Sequence, residues 1–280
     1  MFTTTYSAVL RIKSFDNLFI ELTSKYCNQR CNNCYINFPQ YKKEQDFIDI
    51  NIVKETLKNI ENLGIKCIYL TGAEPMTHPD FNLILRNCLK YTNVCICTNG
   101  SFINEKKARF LKKVEDESDK KIIFKLSLAH YEELKNDEVR YRGAFRHTVF
   151  ASKYLLKYDF NPVISVSNYY NEPENELFNN TAEVLSRMGI SLDKNHCQIV
   201  PWHFDNPDNE MNCNFENIKC DCEYGRVVTS NGIFSCPFLS NDYRGRCGST
   251  LKDFSDKCST ETNYCITCSH SKNTIFGINV

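Results

Sequence analysis

The stretch YCNQRCNNCY (residues 26–35) places Cys27, Cys31 and Cys34 in one short loop, and no fourth cysteine follows before Cys67. A disulfide framework wants an even number of thiols, and a closed zinc site wants four ligands. A set of three therefore calls for a ligand from elsewhere. Thiolates are soft donors that suit iron–sulfur clusters and zinc. Three of them on one loop can hold three irons of a cubane 4Fe–4S cluster and leave the fourth iron open. Taken alone, the motif also fits a zinc loop.

Working outward, short apolar runs alternate with longer amphipathic ones from residue 18 to 200. Strands are predicted at LFIELT (18–23), KCIYLTG (66–72), VCICTNG (94–100), KIIFKLSL (121–128), NPVISVSN (161–168) and CQIV (197–200). Helices are predicted between them, over 51–64, 79–91, 104–117, 144–158 and 175–189; the first ends on Gly64 as a stop signal. Strand–helix alternation argues for a parallel sheet. Six right-handed units curl it into a partial (β/α)6 TIM-like barrel, an α/β fold whose functional residues gather at the C-terminal strand ends. After Pro201 the periodicity stops, and the rest is cysteine-dense and short of helix signal. The division expected is a barrel over 1–204 and a small cysteine-rich, hairpin-containing unit over 205–280.

Four segments resemble the radical S-adenosylmethionine (SAM) enzymes: Cys27-x3-Cys31-x2-Cys34 with Tyr35 after it, TGAEPMTHPDF (71–81), TNG (98–100) and KLSLAHYEELKNDEVRYRGAF (125–145). The resemblance covers about 18–200 and implies several roles. Cys27, Cys31 and Cys34 would bind a 4Fe–4S cluster whose open iron takes the amino and carboxylate groups of SAM. The backbone at Gly72 and Ala73 (Ala where the family has Gly) and the Glu74 side chain would receive the SAM amino group. Asn99 belongs to the TNG turn; Ser127 and Asn168 would meet the ribose or carboxylate, and Arg142 the carboxylate. The family's chemistry is reductive cleavage of SAM to a 5′-deoxyadenosyl radical that takes hydrogen from a substrate. An external one-electron reductant, a flavodoxin or ferredoxin, is implied as partner.

Toward the C-terminus, CEYGRVVTSNGIFSCP (222–237) predicts a hairpin turning at Asn231-Gly232, with Cys222 and Cys236 facing each other at its open end. YCITCSH adds Cys265-x2-Cys268. This stretch resembles the SPASM extension or its shorter twitch form, which implies one auxiliary 4Fe–4S cluster on Cys222, Cys236, Cys265 and Cys268. Cys220 and Cys258 are possible substitutes, and zinc is the alternative metal. Such extensions accompany peptide modification of the RiPP type (oxidation, crosslinking, epimerisation), with oxidation of a small alcohol or sugar as the second reading. No leader-gripping domain is expected before Cys27 or after Val280. Trp202, His203 and Phe204 are candidates for lining the barrel mouth.

Composition sets the remaining bounds. The 280 residues are 42% hydrophobic and 24% charged with net charge +0, which gives no electrostatic reason for a nucleic-acid or anionic-membrane partner. Neither a membrane span nor a signal peptide is read, so the 16 cysteines are expected in a reducing cytoplasm, as ligands rather than disulfides. Cys67, Cys88, Cys95, Cys97 and Cys197 read as buried apolar residues; Cys197, Cys213 and Cys247 are unassigned thiols. A non-catalytic iron–sulfur carrier or sensor explains the cysteines but not TGAEP.

Overall fold

A computed structural model describes residues 9–36, 47–201, 220–260, 262–269, 271 and 274–278. Cys213, the 201–212 boundary beyond Pro201, and Trp202, His203 and Phe204 lie outside the described residues.

The chain opens with β1 (Val9–Arg11) and β2 (Asn17–Thr23), the latter buried along its whole length. Strand–helix units follow: α1 (Ile50–Lys58), β3 (Cys67–Gly72), α2 (Phe81–Cys88), β4 (Asn93–Thr98), α3 (Glu105–Asp116) and β5 (Ile122–Leu128). Next come α4 (Glu133–Val139), α5 (Ala144–Lys157), β6 (Val163–Asn168), α6 (Glu174–Arg187) and β7 (Cys197–Pro201). The polar residues before two of the helices do the capping. Asp49 accepts from the Asn51 amide at 2.7 Å and Asn104 from the Lys107 amide at 2.9 Å, each satisfying an N–H that the helix itself cannot. The sequence pattern does not predict helix α4, because its run ELKNDEV has too few apolar positions to register as amphipathic.

Strands β2 to β7 pair in chain order, all parallel. Period-two alternation divides their side chains between two faces. Leu18, Ile20 and Leu22 enter the large core under the helices, whereas Phe19 joins Tyr69, Cys67 and Cys95 on the other face. That second face is concave: Tyr69 from β3, Lys125 from β5 and Gln198 from β7 all reach one short segment, Thr274–Ile278.

The C-terminal part contributes α7 (Asp221–Tyr224), β8 (Gly225–Thr229), β9 (Gly232–Phe234), β10 (Arg246–Gly248), β11 (Lys257–Ser259) and α8 (Asn263–Ser269). The hairpin falls where NG predicts it, with Thr229 paired to Gly232. Its first strand lies parallel to β2, so β10-β9-β8 continues the barrel's sheet to nine strands. β11 returns to pair with β1. Among the described residues, no helix is long and apolar enough to cross a membrane.

Candidate active site

The loop 26–36 leaves the end of β2 and is fixed by contacts on three sides. The Asn32 amide donates to the Val139 carbonyl at 2.7 Å, Asn33 Nδ2 to Ser167 Oγ at 2.7 Å, and Asn99 Nδ2 to Asn28 Oδ1 at 3.0 Å. The neighbouring turn ties in as well: the Ala73 amide donates to the Thr23 carbonyl at 2.7 Å and the Glu74 amide to the Tyr26 carbonyl at 3.1 Å. Gly72 is required here. Its φ is +124°, and a Cβ would stand 2.2 Å from the Thr23 carbonyl oxygen.

These anchors turn Cys27, Cys31 and Cys34, all half-buried, into one cavity of about 190 Å3 at the C-terminal strand ends. Gly72, Ala73, Asn99 and Ser127 line the same cavity. Burial pushes the Cys27 thiol up to about 11. It is protonated at neutral pH until a metal takes the proton's place.

Three of the residues expected there do not line the cavity. Glu74 does not face the cavity. It is 0% exposed, and its carboxylate accepts from the Met76 amide (3.1 Å), Thr98 Oγ1 (2.8 Å) and the Asn99 amide (2.9 Å). Burial holds its carboxyl above the usual range against those three donors. Asn168 closes its own turn, donating to the Glu172 carbonyl at 2.7 Å and accepting from the Glu172 amide at 2.9 Å. Arg142 is exposed and does not line the cavity.

Arg140, two residues earlier, lines the cavity where Arg142 does not. It is 6% exposed, lines the cavity, and donates from Nη2 to Gln29 Oε1 at 3.1 Å. Arg140 Nε and Gln29 Nε2 are buried and have no hydrogen-bond partner among the described residues. Two orphaned donors beside three thiols suit an anionic, oxygen-bearing group. The donor set and its surroundings thus fit a cluster carrying SAM. Cys97 and Lys125, cross-strand partners on β4 and β5, also line the cavity, although the apolar surroundings of Cys97 in the sequence suggest a core residue.

A second pocket, of about 20 Å3, collects Cys222, Cys236, Cys265 and Cys268 with Cys220 and Cys258. The set of six sulfurs is soft and suits iron–sulfur or zinc. Among the described residues the one carboxylate at this pocket, Asp221, is engaged by backbone amides. Among the described residues no three His, Cys, Asp or Glu side chains are arranged around a single-ion position. Cys197 and Cys247 are buried and line neither cavity.

Comparison with known proteins bears on family and fold. The subtilosin biosynthesis protein AlbA of Bacillus subtilis (strain 168) is 30% identical over 137 residues, 48% of this chain and 29% of AlbA. A GTP 3′,8-cyclase of Aquifex aeolicus (strain VF5) is 27% identical over 155 residues, 52% of this chain and 47% of that protein. The matches thus span less than half the length of either curated relative. Among solved structures, anSMEcpe with bound AdoMet superposes with a TM-score of 0.65 at 16% identity, covering 90% of this chain and 82% of that one. Streptococcus suis SuiB bound to S-adenosylmethionine gives 0.61 at 16% identity, over 85% and 64%. Likeness at such identity speaks to the fold: a partial barrel. Residues 22–183, more than half of the chain, match the radical SAM superfamily. With the three-cysteine loop at the strand ends of such a barrel, this chain belongs to the radical SAM superfamily.

Proposed function

We propose that the chain is a peptide-modifying radical SAM enzyme with two iron–sulfur sites. Cys27, Cys31 and Cys34 hold a 4Fe–4S cluster, and Cys222, Cys236, Cys265 and Cys268 hold an auxiliary one. When cluster and SAM are bound, they supply a 5′-deoxyadenosyl radical after one electron from a flavodoxin- or ferredoxin-type reductant. The protein's own part is placement and exclusion of water. Arg140 meets the SAM carboxylate with a charge-assisted contact, the Gly72–Ala73 backbone meets the amino group, and Asn99 and Ser127 lie toward the nucleoside. Glu74 and Asn168 act through the turns they brace. Arg142 is not given a role.

The observation that carries this reading is the convergence of three thiols, Arg140 and Gln29 on one cavity, with Arg140 Nε and Gln29 Nε2 buried and unpartnered among the described residues. A peptide substrate is supported by similarity to AlbA, a bacteriocin biosynthesis protein. The six-sulfur pocket supports the auxiliary cluster.

Anaerobically reconstituted protein, given SAM and dithionite, is expected to release 5′-deoxyadenosine. Adding a candidate precursor peptide should raise that release and change the peptide's mass or stereochemistry. Turnover of small alcohols or sugars in place of any peptide would overturn the substrate assignment.

A further inference from the structure

Two buried side chains hold all six backbone polar groups of Ile275–Gly277. The Asp221 carboxylate accepts from the amides of Ile275 (2.9 Å), Phe276 (3.1 Å) and Gly277 (3.0 Å). Lys125 Nζ donates to the carbonyls of Ile275 (2.6 Å), Phe276 (3.1 Å) and Gly277 (3.1 Å). On either flank, Gln198 Nε2 donates to the Thr274 carbonyl and the Ile278 amide donates to the Tyr69 hydroxyl at 3.1 Å. Asp221 is 2% and Lys125 6% exposed. A closed barrel fills its interior with layers of its own side chains; here a piece of backbone occupies that space, anchored on β3, β5, β7 and α7. Pulling it out would strand a carboxylate and an ammonium in apolar surroundings, which is costly. The segment is therefore a fixture of the barrel.

Its side chains face the chemistry. Ile275 and Phe276 line the cavity that carries Cys27, Cys31 and Cys34, and Phe276 also borders the six-sulfur pocket. The Phe276 ring packs edge-on against Tyr35 (4.9 Å between centroids), the residue after Cys34, and against Phe238 (4.6 Å), two residues after Cys236.

We propose that Thr274–Ile278 is the inner wall of the active-site cavity, and that Phe276 limits the size of what can enter beside SAM. This rests on the reading that the cavity holds SAM and substrate. Selection is then made by a fixed wall clamped by Asp221 and Lys125.

Cys97 lines the same cavity and serves as a reporter. Reconstituted, SAM-loaded parent and Phe276→Ala are treated with small iodoacetamide or bulky N-phenylmaleimide, and labelling is read peptide by peptide by mass spectrometry. The bulky-to-small rate ratio at Cys97 is expected to rise at least about tenfold in the variant, while Cys88, 0% exposed on the buried face of α2, stays unlabelled. An unchanged ratio, or no labelling of Cys97 in either protein, overturns the proposal. Should Cys88 react as well, Phe276→Leu, which removes fewer atoms, decides by the same ratio. Hydrogen exchange tests the clamp separately: the amides of 275–277 should exchange at least about tenfold faster in Lys125→Met than in the parent. Fast exchange in the parent would also overturn the wall. Absence of SAM binding to the parent, measured by equilibrium dialysis, would instead count against the proposed function.

Discussion

Glu74 has no exposed surface and gives its two oxygens to three donors from two different strand ends. Glu74→Gln turns one acceptor into a donor facing those groups, and the unmet hydrogen bonds should cost about 1–3 kcal/mol of stability in urea titrations. A variant as stable as the parent would contradict the bracing role. Arg140 and Arg142 make a second contrast. Arg140→Ala should weaken SAM binding about tenfold or more, as expected for a charge-assisted contact, whereas Arg142→Ala should leave it unchanged; equal effects in equilibrium dialysis would refute the assignment. The family resemblance pointed to Arg142, and nothing in VRYRG marks Arg140 as the buried arginine. The missing signal was helix α4. Its buried face carries Asn136, and Arg140, four residues on, shares that face.

At the scale of elements, the strands were legible because fully buried parallel strands read as apolar runs. The predicted ends fall within a few residues of the observed ones, for example 18–23 against Asn17–Thr23. What the sequence did not carry was the way the C-terminal hairpin adds to the barrel's edge. That junction depends on Gly225, where a Cβ would stand 2.2 Å from the Asn17 carbonyl oxygen. Gly225→Ala should force β8 away from β2 and lower stability by about 1–3 kcal/mol, the usual cost of overpacking. A chemical denaturation midpoint equal to the parent's would show that the strands tolerate separation. The Thr274–Ile278 segment was equally illegible. Its partners lie as far as 209 residues away in the chain, and the contacts are to backbone, which leaves no pattern in side-chain identity.

For the whole molecule, one continuous sheet joins the loop of Cys27, Cys31 and Cys34 to a pocket lined, among the described residues, by six cysteines. Two four-iron clusters require about eight irons per chain. Replacing Cys27, Cys31 and Cys34 by Ala should remove half of that iron and leave the other half on the C-terminal cysteines. Zinc in place of the remaining iron would overturn the auxiliary-cluster assignment. The central claim is that the vacancy among Cys27, Cys31 and Cys34 is filled by SAM, and electron paramagnetic resonance of the dithionite-reduced protein tests it most directly. Adding SAM should change the g-values of one reduced cluster in the parent and change nothing in the triple Cys27/Cys31/Cys34→Ala protein. A spectrum from the parent that SAM leaves untouched would contradict the account.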